Sequence, residues 1–250
     1  MSNYWNAYFG YINDKPATVA LDMGVTEEVN IEDYQTVVII KLQLKNPDER
    51  GFPSEFESKL LEKINNDIDN LINLNRYLNV GRQTSDGFRE HIYYTSENDP
   101  KMLLKTADQV LRSNKYEFEV YSIDEEELWE CYFEYLYPNR YQMQRIDNAD
   151  ILEHLNKLGD KLVLPRAVEH WIHFNDQNKM NEFINTIKTE GFKIEKRSSN
   201  LDEDFEFTLL ISRIDKVDFD SIDELTDFLI EVSESFDGEY DGWETLVIKG

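Results

Sequence analysis

The sequence predicts an α+β protein built from two domains in tandem. Segments in which apolar residues alternate, as in half-buried strands, are interspersed with segments in which they recur every three or four residues, as in amphipathic helices. The order strand, helix, strand, strand, helix, strand occurs twice along the 250 residues, and each copy is long enough to bury its own core. This βαββαβ order predicts two ferredoxin-like domains, each an antiparallel sheet with its helices on one face.

The first copy follows an N-terminal hairpin, in which alternating segments at 4–11 and 17–23 flank a turn at 13–16. A strand at 35–44 precedes a capping box, in which Ser54 accepts a bond from the third helical N–H and Glu57 reaches back to the start of the helix. The remaining predicted elements are a helix that ends near 72, strands at 77–84 and 88–95, a helix opened by the Asp-Pro pair at 99–100, and a strand at 116–122.

The second copy repeats this order. A strand at 168–174 leads into a helix that ends at Gly191, and strands at 192–198 and 205–213 flank an acidic loop at 200–204. Ser221 and Glu224 have the spacing of another capping box, and the last strand covers 240–248. Glycines at 238 and 242 predict a helix end in the left-handed conformation and a bulge or close contact, respectively.

Two helical segments, 125–137 and 148–158, lie between the copies. The first is too rich in aromatic residues for a solvated linker, and we expect this segment to pack on a domain or between the two domains. The predicted division is therefore an α+β domain with an extra hairpin at 1–137, a helical linker at 138–162, and a second ferredoxin-like domain at 163–250.

The formal net charge of −25 excludes most nucleic-acid-binding functions, because such binding requires cations opposite phosphates. An acidic surface attracts basic patches on proteins instead, although acidity also serves solubility alone. No apolar run exceeds the four residues 37–40, and the N-terminus lacks the pattern of a secretory signal. With a single cysteine, the sequence predicts a cytoplasmic protein that binds no membrane and no nucleic acid; it does not predict the oligomeric state.

Residues typical of catalysis are few. Cys131 has no histidine nearby in the sequence, and we expect it to be a buried, unreactive thiol. His170 and His173 point to opposite faces of a strand and cannot clamp one metal ion locally. No glycine-rich phosphate loop occurs. We therefore predict no catalytic residue, no metal and no cofactor.

The segment 237–243 is the first candidate binding site, because it places acids and glycines beside two large aromatic residues. One interpretation is structural; the other is a partner-binding surface, since charge-rimmed aromatic residues are typical of protein interfaces. Strand alternation places Tyr240 and Trp243 on opposite faces, so at most one is expected in the core. The residues predicted to bind a partner are Asp237, Glu239, Tyr240, Asp241 and Trp243.

A second candidate site surrounds the hairpin at 77–95, where Arg82, Arg89 and Glu90 lie. Two arginines near one hairpin can bind an anionic ligand, which would make this half a small-ligand binder or an enzyme. In so acidic a chain they can equally hold carboxylates in bidentate pairs. A pocket with unpaired arginines would favour the ligand.

Segments of the second half resemble a known family. Val168, Glu169 and His170 open the domain, Glu190 to Phe192 close its first helix, and Glu239 to Trp243 precede the last strand. Over about residues 163–249 the chain resembles the regulator of ribonuclease activity B family, the protein inhibitors of ribonuclease E. The resemblance implies a ferredoxin-like, non-enzymatic domain that acts by binding the ribonuclease protein.

The first half resembles an uncharacterised bacterial domain family that is often found alone or ahead of such a regulator domain. The resemblance spans about residues 4–136, and the matching residues are Gly51 to Ser54, Val80 to Arg82, Thr84, Gly87, Arg89 with Glu90, and Tyr93 with Tyr94. This resemblance implies no activity. Taken together, the sequence predicts a non-catalytic regulator or adaptor that binds a protein with a basic surface, such as a ribonuclease.

Overall fold

The computed structural model describes residues 2, 4–72, 76–97, 101–199 and 205–249. The chain divides into two compact units, Met1–Asn139 and Arg140–Gly250. Each contains one antiparallel sheet with helices packed against it, which confirms the predicted fold class. The predicted helix start at 99–100 and the acidic loop at 200–204 lie outside the described residues.

The first unit has a six-stranded sheet in the order β1-β2-β4-β5-β3-β6. Strands β3 to β6 with helices α2 and α3 form the βαββαβ core, and the N-terminal hairpin extends the sheet beside β4. The elements are β1 (Trp5–Ile12), β2 (Lys15–Asp22), α1 (Val25–Glu28), β3 (Thr36–Gln43), α2 (Glu55–Leu71), β4 (Tyr77–Ser85), β5 (Phe88–Thr95), α3 (Lys101–Ser113) and β6 (Phe118–Ile123).

Helix α2 begins as predicted but is capped differently. Ser54 accepts a hydrogen bond from the Glu57 N–H at 3.3 Å. The Glu57 carboxylate does not reach back; it accepts bonds from the Lys45 N–H at 2.8 Å and the Tyr116 hydroxyl at 3.0 Å. Glu57 is buried, so it satisfies donors inside the unit instead of a helix end that water can solvate.

Both faces of the first sheet carry packed segments, although the hairpin strands β1 and β2 lie outside the helix-covered core. Helices α2 and α3 bury one face in an aliphatic core that includes Ile40, Leu61 and Leu103. The segment that follows β6 covers the other face: Trp129 stacks on Tyr94 with ring centroids 4.3 Å apart. Only Cys131–Leu136 of the predicted helix at 125–137 is helical, as a π-helical turn, because the backbone at Trp129 has a positive φ of 60°.

The second unit has a four-stranded sheet in the order β10-β7-β9-β8, the ferredoxin-like order. Helix α4 occupies most of the segment predicted as a linker, and it packs against α6 within this unit. The elements are α4 (Arg140–Lys157), β7 (Arg166–Phe174), α5 (Gln177–Thr189), β8 (Lys193–Ser199), β9 (Phe207–Asp215), α6 (Phe219–Ser235) and β10 (Gly238–Thr245).

The start of α6 corrects the second predicted capping box. Asp218 is the N-cap, and its carboxylate accepts a bond from the Ser221 N–H at 3.1 Å. Ser221 therefore lies inside the first turn. As an N-cap, Asp218 is favoured over Ser221 because its negative charge also interacts favourably with the helix dipole.

The two faces of the second sheet differ. Helices α4, α5 and α6 cover one face, where Ile172, Phe183 and Leu229 are fully buried. Within the described residues of this unit, no helix lies on the other face, where Trp171 is half-buried and Ile214 is exposed. No helix in the described part of the chain is long and apolar enough to cross a membrane.

Candidate functional site

The segment 237–243 runs from the end of α6 into β10, the edge strand of the second sheet. Asp237, not Gly238, takes the left-handed conformation after the helix, with φ of 54°. Gly238 is required for a different reason: a Cβ at this position would overlap the ring of Phe174 on the neighbouring strand. The glycine allows β10 to lie close to β7.

A β-bulge changes the direction of the side chains in β10. Tyr240 pairs with Ile172 and Gly242 with Trp171, so Asp241 is the extra residue. Because of this extra residue, the side chains of Tyr240 and Trp243 point to the same face of the sheet, the one covered by helices. Each of the two side chains is only 5% exposed. The expectation that at most one of them lies in the core is therefore wrong, because it assumed unbroken alternation.

Both aromatic residues have internal polar partners. The Tyr240 hydroxyl lies 2.9 Å from His170 Nδ1, and burial, followed by Arg213, lowers the pKa of His170 to about 3, so this ring is neutral. Trp243 Nε1 donates to Asn148 Oδ1 at 2.7 Å, which fastens β10 to α4. Their side chains hold the unit together and offer little surface to a partner.

The three acids of the segment lie on the surface instead. Asp237 is 80% exposed and lies 3.6 Å from Lys179. Asp241 is 63% exposed, with a carboxylate oxygen 3.3 Å from Nε2 of His173. Glu239 is exposed opposite His173 in the register. Of the five predicted residues, these three keep the geometry required of a partner-binding role.

Sequence reasoning missed Trp171. Alternate residues of β7, from Val168 to Phe174, are buried under the helices, so Trp171 faces the sheet surface that no helix of the unit covers. It lies opposite Gly242, whose open surroundings leave space beside it. The alternation of the strand contains this signal, because Trp171 is out of phase with the buried residues His170 and Ile172.

The second candidate site is divided by the sheet. Arg82 pairs with His91 and Arg89 with Thr84, which places both arginines on the face that carries α2 and α3. Glu90 points to the opposite face, where Lys41 Nζ lies 3.2 Å from its carboxylate. Among the described residues, neither arginine forms an ion pair with a carboxylate. The structure thus brings two of the three predicted residues together and excludes Glu90.

The remaining candidates for chemistry are the single cysteine and a metal site. Burial raises the pKa of Cys131 to about 12, and neighbouring glutamates add to the effect. No group of three or more His, Cys, Asp or Glu side chains within the described ranges could hold a metal ion.

The fold and the acidic strand edge define a tandem α+β protein whose second unit has one open sheet face. Residues 3–137 match the model of a family of unknown function, DUF695, and the chain belongs to this family. Residues 145–245 match the model of the regulator of ribonuclease activity B. These matches confirm both predicted resemblances. The family that matches the second half is a family of regulators.

Other comparisons add little. No curated protein matches the chain. A crystal structure of an unknown protein from Galdieria sulphuraria is 10% identical, with 85% of this chain and 99% of that chain covered and a TM-score of 0.23. A protein proposed to be a glycine cleavage system transcriptional repressor is 9% identical, with 85% and 98% covered and a TM-score of 0.26. These scores are too low to assign a shared fold.

Proposed function

We propose that the chain regulates a ribonuclease in the cytoplasm by binding to it as a protein, without catalytic chemistry of its own. The observation that carries this proposal is the match of residues 145–245 to the regulator of ribonuclease activity B. The matched range contains the whole second sheet and most of α4, so it includes both the buried frame and the surface described above.

The binding surface we propose is the β10 side of the open sheet face. Glu239, Asp241 and Glu244 are exposed along this edge strand, and Trp171 lies beside them on β7. A half-buried tryptophan rimmed by charge is typical of an interface anchor. The acids supply the attraction to a basic protein surface and steer its approach.

Charge also predicts what this surface does not bind. The net charge of −25 repels the phosphates of RNA. Regulation would therefore act through the ribonuclease protein and not through competition for its substrate.

The test is a double charge reversal, Glu239→Lys with Asp241→Lys, in the full chain. Purified ribonuclease E is titrated with this variant, and both the Kd and the rate of RNA cleavage are measured. We expect the wild-type chain to lower the rate and the variant to bind at least about tenfold more weakly, since interface charges control both encounter and register. Raising the salt concentration should weaken wild-type binding more than variant binding.

A matched control is Glu182→Lys, which reverses one exposed charge on α5, on the helix-covered side of the same sheet. It should leave binding nearly unchanged. Absence of any complex between the wild-type chain and the ribonuclease, or equal weakening by the control, would contradict the proposal. Cleavage of RNA by this chain alone would contradict its non-catalytic part.

A further inference from the structure

Arg82 and Arg89 are diagonal neighbours on one face of the first sheet. Arg82 lies opposite His91, and Arg89 is two residues from His91 on the same strand. Diagonal positions on paired strands lie about 7–8 Å apart, within reach of two long side chains. The two guanidinium groups can therefore approach one common ligand from adjacent strands.

Neither arginine is neutralised by a carboxylate within the described residues. Arg89 Nε donates to Thr84 Oγ1 at 2.8 Å, and the Arg82 guanidinium lies 6.0 Å from the ring of Trp5. The chain has 51 acidic residues against 26 basic ones, so acids were available to pair with both. Two partly buried cations side by side repel each other unless an anion joins them.

Two acids that interact electrostatically with these arginines, Asp69 and Glu57, have other hydrogen-bond partners. Asp69 of α2 accepts bonds from the Asn79 amide at 3.0 Å and the Tyr93 hydroxyl at 3.0 Å. Glu57 accepts the bonds from Lys45 and Tyr116 described above. Both carboxylates act on the arginines only at longer range.

His91 lies between the arginines and is fully buried. Neither ring nitrogen has a hydrogen-bond partner among the described residues. Burial, followed by Arg89 and Arg82, lowers the pKa of His91 to about 3, so the ring is neutral and carries one donor and one acceptor. A buried polar ring without partners is costly for stability. Because neither ring nitrogen is accessible, the ring lies beside the two arginines and does not itself offer a bond to a ligand.

The sheet surface beside the arginines carries small apolar side chains. Ala20 pairs with Arg82, and Ala7 pairs with Ala20, so small side chains continue the row across the hairpin strands. The core under α2 and α3 contains no residue of β1 or β2. At one end Phe9 is 46% exposed, with its ring centroid 5.9 Å from that of Phe52.

We propose that Arg82 and Arg89 bind the oxyanion group, a carboxylate or a phosphate, of a small organic molecule whose apolar part lies on the alanine row between Trp5 and Phe9. The His91 ring does not contact the ligand, since neither ring nitrogen is accessible, but it lies close enough to the two arginines to respond to the bound charge. The site is in the first unit, so it goes beyond the proposed ribonuclease regulation and stands or fails independently of it.

Calorimetric titration of the full chain with phenyl phosphate, benzoate and inorganic phosphate tests this site. Phenyl phosphate and benzoate distinguish a phosphate from a carboxylate ligand, and inorganic phosphate lacks the apolar part. We expect one organic probe to bind saturably and more tightly than inorganic phosphate. Arg82→Gln should weaken that binding at least about tenfold, since hydrogen bonds to charged groups are the strong ones.

The thermal midpoint without probe separates a binding role from a structural one. Removing one of two repelling cations should leave the midpoint of Arg82→Gln equal to or above that of the wild type, whereas a structural arginine would lower it. Arg82→Lys keeps the positive charge but lacks the paired N–H donors of a guanidinium group, so this variant should bind the organic probe with intermediate affinity. The control Arg112→Gln removes an exposed cation of α3 that pairs with Asp108, and it should change neither quantity.

The ring resonances of His91 give a second readout that does not depend on a variant. Binding of the organic probe should shift them, while those of the exposed His154 should stay unchanged. Failure of both organic probes to bind, equal binding of inorganic phosphate, equal weakening by Arg112→Gln, or an unshifted His91 ring would each overturn the proposal.

Discussion

The two sheets have the same strand order in their βαββαβ cores, but they are covered differently. The first sheet lies between two helices and an aromatic segment that includes Trp129 and Tyr132, and both of these rings are fully buried. Among the described residues of its unit, the second sheet has helices on one face only, and Trp171 on the other face is half-buried. The same topology therefore has packed segments on both faces in the first unit and, within the described residues, helices on one face only in the second.

Buried charges follow a related contrast. In the second unit Arg166 and Asp160 are both almost fully buried and form an ion pair with each other. In the first unit Arg82 and Arg89 have no such carboxylate among the described residues. Pairing is what a structural charge requires. This contrast is one reason for the ligand site proposed at Arg82 and Arg89.

The largest expected effect tests the cover of the first sheet. Trp129→Ala removes the ring that stacks on Tyr94 and the Nε1–H donated to the Tyr34 carbonyl. We expect the free energy of unfolding of the first unit to fall by about 3–5 kcal/mol, the usual cost of deleting a buried tryptophan. Urea unfolding followed by hydrogen exchange in β1–β6 measures it. Phe133→Ala, at a 44% exposed position of the same segment, is the control and should cost under about 1 kcal/mol.

The buried ion pair provides the next effect. Asp160→Asn leaves Arg166 buried and without its carboxylate, and we expect a loss on the order of 3 kcal/mol. The low end of the usual range applies because Arg166 keeps the carbonyls of Leu164 and Leu246 as acceptors, each at 3.2 Å. Glu153→Gln, which breaks an exposed pair with Lys157 on α4, should cost about 0–1 kcal/mol.

This effect should depend on pH. The Arg166 hydrogen bond holds the pKa of Asp160 well below its ordinary value. The unfolded chain therefore takes up this proton first as the pH falls, so the stabilisation is complete above about pH 5 and is lost toward pH 2. Urea unfolding at pH 7 and pH 3 should show the difference between wild type and Asp160→Asn shrinking. A constant difference would mean that the ion pair is not its origin.

Alanine substitutions at the two glycines of β10 test how closely the two faces of the second sheet are packed. Gly238→Ala brings a Cβ into the Phe174 ring, and we expect a loss of about 2 kcal/mol from overpacking. Phe174→Leu in the same chain should recover part of that loss. Gly242→Ala meets no atom within 4 Å, but its φ of 139° is strained for alanine, so about 1 kcal/mol is expected and the same Phe174→Leu change should recover none of it. Thermal unfolding of the single and double variants measures both.

The sequence predicted the fold because period and order survive in both halves, and strand β5 at Phe88–Thr95 matches its predicted bounds. It failed where one residue changes the pattern. Gly242 predicted a bulge or close contact, and a bulge occurs at Asp241, but the faces of Tyr240 and Trp243 were predicted from unbroken alternation. The extra residue puts both side chains in the core. Likewise, the position of His91 beside two arginines could not be predicted locally. It depends on the register between β4 and β5, which places Arg82 opposite His91. The division at 137 and 163 remains a prediction.

The smallest expected effect on stability belongs to Trp171, and it sharpens the comparison most. Trp171 is half-buried on the face that no described helix of the unit covers, so we expect Trp171→Ala to change the free energy of unfolding by less than about 1 kcal/mol. The same variant should weaken binding to ribonuclease E by about 2 kcal/mol or more, because an aromatic anchor within a charged rim accounts for much of an interface's affinity. Calorimetry for stability and a binding titration separate the two. A loss of 3–5 kcal/mol in stability, as for Trp129→Ala, would mean that this face is part of the frame, and the acids of β10 would then have to bind a partner without an anchor beside them.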